Sequence, residues 1–424
     1  MVLLINFLSE KKMQDSTNNF EIELDRLLKL YLSKDELDCL NLNISPSKKE
    51  SSKISEAIND FYVKQLEINI DSCNERIKID RSITFSEKHL KRDKFYGFLL
   101  DLGKLCIASG KLNLASEILR KITKSSTKDI LKAESLLELA NVFSRKADWV
   151  RSLERISDAE TMFRNIYDSL GVAKCNNIKG SIFGERGNIA KAKQFFLKGL
   201  ALINPLSDLE LAATLNTNLG IIDNIQGNKD DAKKHFKNAL LIYNKLNNRI
   251  RIAEVNHNLG LTLFESKEYD SALRAFDDGI EIAKKGRFVS VLCLLYLAKS
   301  QVLIAQNDFK SAAVFADKAL EISHQVDDKL TFADLYKVKG IIDRQFKNYK
   351  LSESFLLNSL RINKSLKNEM NVAETSLELA ALYEEMDNSK SKNSYLKNAL
   401  NYFKQIRASQ KVKEIEILFS IETA

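Results

Sequence analysis

The stretch NLGIIDNIQGNKDDAKKHFKNAL (residues 218–240) is followed forty residues later by NLGLTLFESKEYDSALRAFDDGI (residues 258–280). Few residues are identical, yet small and large side chains fall at the same places. Gly220 and Gly260 mark position zero. Twelve residues on stand Ala232 and Ala272, sixteen on Phe236 and Phe276, nineteen on Ala239 and Gly279, twenty on Leu240 and Ile280. Offsets 12, 16, 19 and 20 lie on one face of a helix with about 3.6 residues per turn. Small residues there let backbones approach closely, and the large ones fill the space between them.

The register extends in both directions. Position zero is held by Ala140, Gly180, Gly220, Gly260, Ser300, Gly340 and Ala380, each forty residues from the last. Seven residues earlier comes Ala133, Ala173, Ala213, Ala253, Cys293, Ala333 or Ala373. A fixed period of this length predicts one supersecondary unit stacked many times. Between offsets zero and twelve sit polar turn formers, such as Gly187-Asn188, Gly227-Asn228, Asn307-Asp308 and Asp387-Asn388. Each unit thus reads as helix, short turn, helix, then a loop such as Leu246-Asn247-Asn248.

These residues resemble the tetratricopeptide repeat family. Its pattern pairs Leu-Gly in a first helix with Ala, an aromatic residue and Ala in a second, as in Leu219-Gly220, Ala232, Phe236 and Ala239. The longer unit with Asn-Leu-Gly is similar to the arrays of LGN/Pins-type scaffolds and of bacterial signalling proteins. The family's usual unit-end Pro is missing, and the period is 40 rather than the commonest ~34. The resemblance implies an all-α fold, a right-handed α-solenoid of tandem helix-turn-helix repeats. It also implies that first helices line a concave groove. Carrying the family's groove offsets onto this chain gives Lys174, Asn177, Ser181, Asn218, Ile221, Asn224, His257, Asn258, Leu261, Phe264, Gln301, Lys337 and Arg344 as peptide-binding residues. Leu294, Leu297 and Ile304 join them, and the last unit offers Glu374, Glu378, Glu384 and Glu385. Asn side chains both donate to and accept from a peptide backbone. Asn218 and Asn258 are expected to project in register, with Lys174, Lys337 and Arg344 as peripheral charges.

The domain organisation expected is a helical region over 1–87 with a linker near 41–53, a repeat array over 88–408, and a capping helix over 409–424. The array comprises one degenerate repeat and seven regular ones. Phe20 to Leu32 reads as an amphipathic helix, and residues 54 to 80 keep a helical rhythm. Only two prolines, Pro46 and Pro205, interrupt 424 residues, as long helices require. The apolar run Val2 to Leu8 lacks the basic start and cleavage site of a signal peptide, and no membrane insertion is expected.

Catalytic signals are nearly absent. His89, His235, His257 and His324 are widely separated, and Gly180, Gly184 and Gly187 form no nucleotide-binding motif. No cofactor or metal is expected, and the chain reads as non-enzymatic. Five scattered cysteines without a CxxC pattern fit a reduced, cytoplasmic setting, and Cys293 at an alanine position reads as core. The net charge of +8 is concentrated in residues 88–128, whose excess is +7. Such an excess can steer an acidic protein or nucleic acid, but the segment reads first as a solvated helix face, and no RNA platform or helix-turn-helix accompanies it to favour nucleic acid. The expected function is a scaffold that takes a partner's peptide or helix in its groove. The alternative is a sensory or regulatory arm of a signalling or transcription-control system that binds a short signalling peptide. Partner identity and oligomeric state are not written in the stacking residues.

Overall fold

The computed structural model describes residues 17–44, 63–125, 128–203, 208–325 and 328–420, and all regular structure among them is helical. The chain forms two compact units, residues 5–218 and 219–424, which divide within the Leu209–Ile225 helix.

In the first unit, helices Thr17–Tyr31, Lys34–Ile44 and Val63–His89 precede the repeats. The first two and the third share one core with the Arg92–Ala108 helix: Phe20, Leu24 and Leu28 pack with Ile79, Phe95 and Phe98. The Tyr31 hydroxyl donates to Asp101 Oδ2 at 2.6 Å and fixes that docking. Residues 41–44 of the expected linker finish a helix. Its remainder, like the Val2–Leu8 run, lies outside the described residues. Three pairs follow, Arg92–Ala108 with Leu112–Thr123, Asp129–Arg145 with Trp149–Asn165, and Ser169–Glu185 with Ile189–Leu202.

The second unit carries Lys229–Lys245, then the pairs Arg249–Glu265 with Tyr269–Gly286, Val289–Ala305 with Phe309–Ser323, Lys329–Gln345 with Tyr349–Ser365, and Glu369–Glu385 with Ser389–Gln405. A last helix, Ser409–Ser420, buries Ile415 against Ala373, Leu396 and Phe403. Ile417 on the same helix is exposed.

Size matching between offsets zero and sixteen sets the distance between paired helices. A Cβ on Gly220 would lie 2.7 Å from Phe236, and one on Gly260 would lie 2.4 Å from Phe276. Hydroxyls tie the backbones where glycine is absent from one side. Ser152 Oγ donates to Ala140 O and Ser352 Oγ to Gly340 O, both at 2.7 Å, and Ser300 Oγ donates to Ala312 O at 2.9 Å. Cys293 is buried as expected of a small core residue, its Sγ 3.5 Å from Ala319 O, and burial pushes its thiol up to about 12.

The joints reveal a shorter metre. Residues with left-handed φ recur every twenty positions, at Ala147, Tyr167 and Gly187, then at Gly227, Asn247, Lys267, Arg287 and Asn307. The extra length of the forty-residue unit therefore goes into helices, seventeen residues long in Arg249–Glu265 and Lys329–Gln345, while loops stay short. The next residue is usually Asn or Asp, and except at Asn228 and Asn348 its side chain caps the following helix. Asn188 accepts from Lys191 N and Asp308 from Ser311 N, worth about 1 kcal/mol per cap.

Candidate functional site

In the first unit, the polar residues expected in the groove bond to one another. Asn218 Nδ2 donates to Asn177 Oδ1 at 3.0 Å across two neighbouring first helices. Ser181 is buried and its Oγ donates to Asn177 O, while Lys174 is half-buried on the same Ser169–Glu185 helix.

The second unit shows how first helices meet. Arg344 at offset +4 donates through Nη2 to Glu378 Oε2 at 3.0 Å, and Glu378 sits at offset −2 of the next repeat, thirty-four residues on. Lys337 donates to Glu374 Oε2 at 2.8 Å and lies 3.7 Å from Asp334, which also accepts from Asn371 Nδ2 at 3.3 Å. Arg344 Nε further approaches Glu385 Oε1 at 3.6 Å. Burial pushes the Glu374 carboxyl up, but the Lys337 ammonium outweighs it and holds the group below the ordinary carboxylate range. Lys337 and Arg344 are only 12% and 11% exposed. The expectation that they act as peripheral charges is therefore corrected. The carboxylates of the next repeat neutralise them, because residues thirty-four to thirty-seven apart become neighbours when repeats stack.

The same two offsets near residue 220 hold Asn224 and Asn258, again thirty-four apart. Both are buried, and here the ladder is left open. Asn224 Oδ1 accepts from Lys229 Nζ, which also pairs with Glu265, but Asn224 Nδ2 has no partner. Asn258 Oδ1 and His257 Nδ1 are likewise buried, with only a weak hydrogen-bonding contact between the two side chains. His257 is 3% exposed, its ring 6.2 Å from Phe276, and burial lowers its pKa to about 4, against a weaker opposing effect from Asn258. The imidazole is neutral at pH 7.

Mostly apolar residues complete the expected face. Ile221, Leu261 and Leu297 are buried, and Phe264, Leu294, Gln301 and Ile304 are half-buried. The Phe264 ring lies 5.9 Å from that of Tyr269. The geometry thus offers neutral polar atoms, apolar surface, and a self-neutralised charged ladder. His235 stands apart from this face, its Nε2 3.6 Å from Asp223 Oδ2. Sequence reasoning placed Asn224, His257 and Asn258 on the groove but missed that their polar atoms are left unpaired or weakly paired. It also missed the charge closure, for which opposite charges at a thirty-four-residue spacing were the available signal.

Among the described residues, no helix is long and apolar enough to cross a membrane. No curated protein matches the sequence. Solved structures of similar fold include the apo form of the quorum sensor NprR from B. thuringiensis, with TM-score 0.59 and 14% identity, covering 84% of this chain and 98% of that one. The apo form of RapI has TM-score 0.58 and 16% identity over 82% of this chain and 95% of its own. A Rap protein complexed with competence and sporulation factor has TM-score 0.57 and 12% identity, over 87% of this chain and all of its own. The tetratricopeptide repeat model matches residues 210–285, which contain the quoted stretch. Residues 210–285 thus match the tetratricopeptide repeat, and the forty-residue register and helix pairs on either side of them have the fold of these repeat structures.

Proposed function

We propose that this protein is a non-catalytic interaction protein, which holds a peptide segment of a partner on the first-helix face of residues 219–424. The observation that carries the reading is the first-helix face itself, where half-buried Phe264, Leu294, Gln301 and Ile304 adjoin buried Asn224, His257 and Asn258, and Asn224 Nδ2 has no hydrogen-bond partner. Such an atom costs about 1–3 kcal/mol when left unpaired. A peptide backbone supplies both donors and acceptors, so binding would recover that cost. Apolar Phe264, Leu294 and Ile304 would then take its side chains, as in helix-in-groove and extended-peptide recognition.

A second reading makes the groove the input of a signalling system, with a short signalling peptide as ligand. It is favoured by the fold shared with a structure described as a quorum sensor and with a Rap protein bound to competence and sporulation factor. Cytoplasmic residence belongs to both readings and is supported by the free cysteines among the described residues, Cys39, Cys106, Cys175 and Cys293, three of them buried.

The test is selection of binding peptides from a displayed random library, followed by titration calorimetry of the best binder. Asn224→Ala with Asn258→Ala should weaken that binder by about 1–3 kcal/mol while helical content stays the same. Unchanged affinity would exclude this face as the site.

A further inference from the structure

The basic segment of the first repeat is not used by the groove, and the structure gives it a cleft. Helices Leu112–Thr123, Asp129–Arg145 and Trp149–Asn165 enclose a cavity of about 620 Å³. A second lobe of about 500 Å³ shares Arg120, Lys124, Phe143 and Arg151 with it, so the two form one elongated cleft. Seven cations line the cleft against three carboxylates. Those carboxylates are already engaged: Glu117 pairs with Arg76 at 2.9 Å, Asp148 with Arg151, and Glu154 with Arg155 at 3.8 Å. Arg120, Lys121, Lys124 and Lys132 make no side-chain hydrogen bond or ion pair with the described residues.

The lobes differ in floor. Beside the cations, the smaller lobe is lined by Leu136, Leu139, Phe143 and Met162. We infer that this cleft docks an acidic segment of a partner protein, with carboxylates on Arg120, Lys121, Lys124 and Lys132 and one apolar side chain on the Leu136–Met162 floor. Arg120, Lys121 and Lys124 cluster at the end of the Leu112–Thr123 helix and Lys132 stands on the next, so the cations run along the elongated cleft, which suits a chain of carboxylates. Nucleic acid would need an open aromatic face for stacking. Phe143 offers none, because it is buried and the Arg151 guanidinium lies over its ring at 5.0 Å. The inference does not rest on the groove, since every residue it uses lies in the first unit.

The experiment is fluorescence anisotropy on the full chain with three labelled probes: a short glutamate peptide containing a central leucine, the same peptide without leucine, and a single-stranded oligonucleotide of equal charge. The leucine-containing peptide should bind best, and its affinity should fall as salt is raised. Arg120→Glu with Lys124→Glu should weaken it by about tenfold or more through loss of complementary charge. Lys132→Glu, on a different helix, should weaken it in the same direction and guards against a folding defect in the double variant. Unchanged affinity in both variants, equal binding without leucine, or preference for the oligonucleotide would each overturn the inference.

Discussion

Asn224 with Asn258 and Arg344 with Glu378 hold the same two offsets in their repeats, yet one pair is open and the other closed. Arg344 and Glu378 meet at 3.0 Å, with Lys337 and Glu374 bonded beside them. Around Asn224 and Asn258, Asn224 Nδ2 has no partner and the His257 and Asn258 side chains have only each other, whereas in the closed ladder Arg344 Nε alone makes no hydrogen bond and still lies 3.6 Å from Glu385. Both pairs sit on the same helix-turn-helix scaffold. Stacking therefore fixes which positions face each other, and side-chain chemistry alone decides whether a position is spent on the neighbouring repeat or left for a ligand.

The largest test of this contrast is pH. Burial lowers the His257 pKa from 6.5 to about 4 in the folded protein. Between those values the unfolded chain binds the extra proton, so stability rises with pH there and is lost as pH falls from 6.5 toward 4. The full loss is about 3 kcal/mol, from roughly 1.4 kcal/mol per pKa unit. Repeats touch only their neighbours, so hydrogen exchange in Arg249–Glu265 is the proper readout. The difference between wild type and His257→Gln should shift against wild type by about 3 kcal/mol from the neutral to the acid end of the window; a difference independent of pH would sink the idea.

The closed pair supplies the next test. Glu378→Ala strands Arg344 with only the longer Glu385 contact at 3.6 Å. The Glu378 side chain is 30% exposed, so the cost is about 2 kcal/mol rather than the larger penalty of a dry site. Local exchange in Lys329–Gln345 should accelerate accordingly. No acceleration would mean that the ladder contributes little.

The smallest effect on stability is the most discriminating for function. Asn258→Leu replaces a weakly paired amide with an apolar group of similar size. It should leave stability unchanged or raise it by up to about 1 kcal/mol. The corresponding change at a closed position destabilises. If Asn258→Leu costs stability as Glu378→Ala does, the open ladder is not open.

Much of the fold was legible because the stacking positions tolerate few side chains. A Cβ on Gly260 would lie 2.4 Å from Phe276, so a large side chain at offset sixteen demands a small residue at offset zero and the forty-residue register survives in the sequence. The twenty-residue metre was hidden because the left-handed joints accept Lys267, Arg287 and Tyr167 as well as Gly187. At the site, offsets placed Asn224, His257 and Asn258 on the first-helix face. Their unpaired or weakly paired state depends on what the adjoining repeat presents, and that appears only once residues thirty-four apart are neighbours. The basic cleft was legible as charge in residues 88–128, but its apolar floor at Leu136 and Met162 lies beyond that segment.

The joints carry one more consequence, for engineering. Ala147, Tyr167, Lys267, Arg287, Lys347, Lys367 and Arg407 all sit at left-handed φ. A residue with a Cβ is held there at a cost of about 1–2 kcal/mol, which glycine avoids apart from its own entropy on folding. Glycine at these points would strengthen the helix ends where neither face of the array is touched. The chain thus holds a reserve of neutral sites against which destabilising changes in the ladder or the cleft can be balanced, keeping a crippled variant folded long enough for its binding to be measured.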